Sequence, residues 1–244
     1  MPLPFRELWI GWDIPGVRPT DGSYAATPIS ALPRLDVADD LSWLTPIDPH
    51  VISRLDGKYP PGAGVWAPFV AEHEALGDDA PGRWRTQVDR IVAQAMEAQV
   101  RLPDAFVALF RSDRMRARVL DPTGCNFELA DQGLSPDPFG LGGCIVRFLS
   151  DQQDCVTWYL LARPSAPAVV LASSETPDAR FLENLDPANA AGVAAAMEQT
   201  SVAAWSFPEF LYRFWIEGAL WFKRSYDIEL SPPEADYLRR LTPQ

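Results

Sequence analysis

Residues 144–173 read CIVRFLSDQQDCVTWYLLARPSAPAVVLAS, and they decide the fold class. Three runs rich in β-branched and aromatic residues, CIVRFLS (144–150), CVTWYLLA (155–162) and AVVLAS (168–173), are divided by turn formers. The first link, Asp151-Gln152-Gln153-Asp154, has the length of a hairpin loop. The second, Arg163-Pro164-Ser165-Ala166-Pro167, is equally tight. Strands joined this closely pair antiparallel, so the stretch predicts a meander. MRARVL (115–120) reads as another strand of the same kind, with Arg111, Arg114, Arg116 and Arg118 largely on a solvated face.

Downstream of the meander, Ser206-Phe207-Pro208-Glu209 has the capping-box pattern of a helix start. Phe207, Phe210, Leu211, Phe214 and Trp215 then recur at helical spacing. With Trp158 these residues form the predicted core, each contributing roughly 1.5–3 kcal/mol if fully buried. Ala190–Gln199 reads as a weaker helix of small residues, and the tail after Pro232-Pro233 as one further helical turn docking through Tyr237 and Leu238. Upstream, Trp84, Val88, Ile91, Val92, Ala95 and Met96 mark an amphipathic helix over 84–99. A short helix follows in LPDAFVALFRS, where Pro103 suits a first turn. The elements together predict an α+β fold, a twisted antiparallel sheet flanked by helices.

The chain divides by composition into residues 1–82, an irregular extension rich in proline and tryptophan, and an α+β domain over 83–244. Twelve prolines fall in the extension, where fixed φ and missing donors disfavour long helices and central strands. Trp9, Trp12, Trp43 and Trp66 lie among them, so the extension is expected to pack on the core as a coat. A tryptophan-lined ligand groove is the sharper alternative.

Of 244 residues, 33 are acidic and 21 basic, a formal net charge of −12, which opposes contact with phosphate backbones. Cys125, Cys144 and Cys155 form no CxxC pair and read as buried thiols, so no metal and no cofactor is expected. His50 and His73 stand apart from any nucleophile motif. No GxSxG, HExxH or GxxxxGK[ST] pattern occurs, and Gly140-Leu141-Gly142-Gly143 leads into a strand, not a helix, so it makes no phosphate cradle. No apolar run reaches the roughly 18 residues of a membrane span, and a cytoplasmic location is expected.

LPDAFVALF, FLSDQQDCVTWYLL, AVVLAS and SFPEFLYRFWIEGALWF, in this chain order, resemble the SUKH superfamily of bacterial toxin-immunity proteins and fungal cell-wall-synthesis regulators. The resemblance covers roughly residues 84–225. It departs from the family at Arg111-Ser112-Asp113-Arg114, where a Gly-rich or Asn-Gly turn is usual, and residues 1–82 have no counterpart. It implies a helix pair, a twisted antiparallel sheet and a closing C-terminal helix, with no catalytic residues. It implies a protein-binding role, foremost neutralisation of a basic toxin such as a nuclease. A scaffold or regulatory module is the alternative, and an enzyme is favoured only if the tryptophan-rich extension closes over a polar pocket. Asp151, Gln152, Gln153 and Asp154 are the candidate partner contacts, because a short hairpin holds them outward.

Overall fold

A computed structural model describes residues 3–17, 24–57, 75, 83–122, 125–153, 155–174 and 181–242. Eight strands form one twisted, open, mixed sheet. They are β1 (Arg6–Trp12), β2 (Tyr24–Pro28), β3 (Asn126–Phe127), β4 (Ser135–Pro136), β5 (Cys144–Ser150), β6 (Val156–Arg163), β7 (Ala166–Ser174) and β8 (Thr200–Ala204). Their order is β2-β1-β8-β7-β6-β5-β3, with β4 also on β5. The helices are α1 (Pro49–Gly57), α2 (Arg85–Glu97), α3 (Asp104–Arg111), α4 (Asp113–Ala117), α5 (Ala190–Gln199), α6 (Phe207–Ser225) and α7 (Pro232–Leu241).

The meander β5-β6-β7 is antiparallel throughout, as its tight links dictate. Alternation sends Val146, Trp158, Leu160 and Val170 to one face, under α2, α3 and α6. Ile145, Tyr159, Leu161, Val169 and Leu171 go to the other, under α5 and Leu182–Leu185. Both faces are covered, which is why these strands read as unbroken apolar runs. A bulge between Arg147 and Leu149 turns Phe148 and Leu149 to the same side.

Three expectations are corrected. Residues 115–120 are not a strand: Ser112 Oγ accepts from Met115 N and starts α4, and Arg116 donates to the carbonyls of Leu109 and Phe110. Local capping prevails there over a weak alternation. The N-terminal stretch is not irregular throughout, since β1 lies inside the sheet and pairs with β8, the sheet's parallel contact. Its prolines flank RELWIGW and leave every ladder donor of that run in place. The cysteines are not buried thiols either, because Cys155 is exposed at a hairpin and Cys125 and Cys144 are partly so.

The long helix α6 anchors the fold. Phe207, Phe210, Leu211 and Phe214 are buried on the sheet, whereas Trp215 is only partly buried. Ser206 Oγ accepts from Glu209 N, which forms one half of the expected capping box, and Glu209 pairs with Arg213. Gly218 sits against the Leu120 carbonyl, so a side chain there would collide with backbone.

A second stripe of α6 carries charge into the interior. Glu217 is 0 % exposed. Its Oε2 accepts from Trp9 Nε1 at 2.9 Å, and its Oε1 from the Tyr237 hydroxyl at 2.7 Å. Arg213 donates to that hydroxyl at 3.3 Å, to Pro33 O at 2.6 Å and to Glu209 at 3.0 Å. The network joins β1, α6 and α7.

Replacing Glu217 with Leu leaves the buried Trp9 indole N–H and the Tyr237 hydroxyl without their acceptor, each costing about 1–3 kcal/mol, and urea unfolding should show the summed loss. Glu217→Gln keeps an acceptor and should lose less. Phe214→Ala should also lose about 3–5 kcal/mol, with Trp215→Ala clearly milder because Trp215 is only partly buried.

Candidate functional site

A third stripe of α6, formed by Tyr212, Trp215, Ala219 and Lys223, recurs at three- and four-residue steps and floors a cavity of about 530 Å³. One wall is the segment Trp43–Val51, leading into α1; another is Ser231–Glu234, where α7 begins; Arg118 and Leu120 complete it. The volume lies within the roughly 300–1,000 Å³ of small-molecule sites.

Its upper end is aromatic. Trp43 meets Tyr212 edge-on with centroids 5.1 Å apart, and Trp215 with centroids 5.7 Å apart; Tyr212 and Trp215 are also 5.7 Å apart. Trp43 Nε1 donates to Ala38 O at 3.0 Å, which fixes its ring. Burial pushes the Tyr212 phenol up, so it stays protonated near neutrality.

The other end is ionic. Lys223 is 4 % exposed and reaches Asp48 Oδ2 at 2.7 Å and Glu234 Oε2 at 2.9 Å. Glu234 Oε2 also accepts from Ser231 N at 2.6 Å, the return half of the capping box that opens α7. Burial pulls the Lys223 ammonium down, but its bonds to Asp48 and Glu234 outweigh this and hold it above 10.5. Burial likewise pushes Asp48 up, yet bonds from Lys223 and the His50 N–H leave its carboxyl below its ordinary range.

The candidate contacts at 151–154 fare differently. Asp151 is 6 % exposed, and its Oδ1 accepts from Gln153 N at 3.2 Å and Cys155 N at 2.6 Å. The carboxylate shapes the loop from inside instead of facing outward. Gln152 and Gln153 are exposed, and Asp154 lies outside the described residues. The predicted core residues Trp158, Phe207, Phe210, Leu211 and Phe214 are buried. Trp215 belongs to the cavity as much as to the core.

Trp43 was visible in the sequence as part of the tryptophan spacing. Tyr212, Asp48 and Lys223 belong to no local motif, and Glu234 only to Ser231-Pro-Pro-Glu234, itself a capping pattern. Lys223 also stands out in a chain whose only other lysine is Lys58. Among the described residues no group of three or more His, Cys, Asp and Glu stands close enough to hold a metal ion. Among the same residues no helix is long and apolar enough to cross a membrane.

The triad fixes a pH dependence. Asp48, with a lowered folded value, stabilises above the unfolded carboxyl pKa of about 3.9 and loses that contribution as pH falls through the folded value. Lys223, with a raised folded value, stabilises fully below 10.5 and loses its contribution as pH rises through the folded value. Urea unfolding of the native chain and of Lys223→Met should therefore differ most near neutrality and converge at both extremes of pH.

No family model, no curated protein and no solved structure matches this chain.

Proposed function

We propose that the chain is a non-catalytic protein-binding module of the SUKH type that acts in the cytoplasm by capturing and neutralising a basic toxin, in the manner of an immunity protein. The observation that carries this reading is how the positive charges are used. Arg6, Arg90, Arg116, Arg118, Arg224 and Arg240 donate to the backbone carbonyls of Glu198, Asp131, Leu109 and Phe110, Leu44, Pro15 and Arg34. Arg147, Arg213 and Lys223 are buried with their own counterions. Cations held this way serve as clamps for the chain; of those on carbonyls, Arg116 and Arg240 also pair with Asp113 and Asp236, while no carboxylate pair is formed by Arg6, Arg90 or Arg224 among the described residues.

Many of the acids are left outward, although Asp137, Asp151, Glu217 and Glu234 are buried. Glu7, Asp36, Asp39, Asp40, Glu97, Asp131, Asp186, Glu198, Asp227 and Glu229 are all exposed. With a net charge of −12, beyond the magnitude of about 2–8 that suits a small domain for solubility, this surface supports electrostatic capture of a cationic partner. Such a field raises association rates more than it deepens affinity. Because Asp151 is turned inward, the rim formed by Asp227 and Glu229 beside α1 is the better place for first contact.

The test begins with affinity capture of the partner and its identification by mass spectrometry, followed by stopped-flow association at low and high ionic strength. A basic partner whose association rate falls by about tenfold or more with salt, and falls again for Asp227→Asn with Glu229→Gln, is expected. An acidic partner, or a salt-insensitive rate, would sink this reading.

A further inference from the structure

The cavity under Trp43 takes no part in electrostatic capture, and its chemistry specifies a different kind of ligand. Its described lining includes two cations, Arg118 and Lys223, and two anions, Asp48 and Glu234, so its charge balances. A free anion entering the ionic end meets Asp48 and Glu234, and a cation meets Lys223 and Arg118. Either would give up its hydration without a net counter-charge in return. A neutral molecule carries no such penalty.

One polar anchor is nevertheless on offer. An ammonium has three N–H donors. Asp48 Oδ2 and Glu234 Oε2 take two of those of Lys223, and the third has no acceptor among the described residues. A donor on a side chain only 4 % exposed, at the wall of a cavity, favours an acceptor delivered by a ligand. At the other end the rings of Trp43, Tyr212 and Trp215 offer faces and edges suited to a flat aromatic body. The Trp43–Ala38 bond and the Lys223 triad hold both ends in place before any ligand arrives.

We propose that this cavity is a binding site for a neutral, flat aromatic small molecule bearing a carbonyl oxygen, with its ring against Trp43 and Trp215 and its oxygen accepting from Lys223 Nζ. The site is independent of the protein-binding reading.

Three probes of one shape and different charge test it: 2-naphthamide, 2-naphthoate and 2-naphthylmethylammonium, titrated into the full chain by calorimetry. The amide should bind more tightly than either ion by about tenfold or more. Ala219→Phe, which fills the cavity from a partly buried position, should abolish binding of the amide while leaving the thermal unfolding midpoint close to native. Trp43→Ala should weaken it by about tenfold. Lys223→Met should remove the preference for the amide over unsubstituted naphthalene, and Asp48→Asn, which keeps Lys223, should retain it. Failure of all three probes to bind, equal binding of amide and ions, or undiminished binding to Ala219→Phe would overturn the assignment. So would an Ala219→Phe chain that loses its captured protein partner but keeps the amide. Partner capture that persists in Ala219→Phe while the amide is lost is the expected result, and it separates the two sites.

Discussion

The carboxylate of Glu217 sets the terms for the rest of the molecule. A charge that is 0 % exposed persists only when its hydrogen bonds are made within the protein, and here they come from the N-terminal strand through Trp9 and from the C-terminal helix through Tyr237. The phenol of Tyr237 relays between Glu217 and Arg213, so the two opposite charges are linked through a neutral group. Burial, and then the neighbouring Glu217 carboxylate, drive that phenol well above its ordinary value, which keeps its proton in the relay. Neither end of the chain can leave its place without stranding this carboxylate. That constraint explains how an N-terminal segment with flanking prolines becomes an inner strand of the sheet.

The same helix makes the cavity possible, because α6 uses three faces at once. Phe207, Phe210, Leu211 and Phe214 lie on the sheet; Glu209, Arg213 and Glu217 form the polar relay; Tyr212, Trp215, Ala219 and Lys223 floor the cavity. Tyr237 holds α7 against the relay, and that places Glu234, one turn earlier, beside Lys223. The ionic end of the cavity is thus positioned by the buried network behind it.

These faces differ in how visible they are in sequence. The apolar stripe is legible because burial selects large hydrophobic residues at helical spacing, and the meander is legible because tight links leave antiparallel pairing as the simple solution. The limits of α5 follow from its flanks, where Asn189 caps the start by accepting from Gly192 N. The relay stripe reads as a solvated face, since Glu, Arg and Glu four residues apart are the ordinary dress of an exposed helix. Trp9, 208 residues away, Pro33, 180 residues away, and Tyr237, 20 residues on, make it interior, and contacts at such separations carry no local signature. Residues 115–120 mislead for a related reason: alternation over six positions is weak, and Ser112 settles the matter by capping a helix.

Asp151 shows how the position of a carboxylate in sequence and its availability come apart. A hairpin tip normally exposes its acids, but this one must reconcile the β5–β6 register with a short link, and the backbone donors of Gln153 and Cys155 require an acceptor inside the turn. Asp151 supplies it, while Asp151 N donates to Val156 O across the hairpin base. Arginine follows the opposite logic. Its guanidinium satisfies carbonyls at the ends of elements, as at Leu44 and Phe110, shares that of Leu109 with the Ser112 N–H, and is fixed by doing so. The net charge of −12 is set by composition; fixing some of the cations on neutral acceptors only determines where on the surface that charge lies uncompensated.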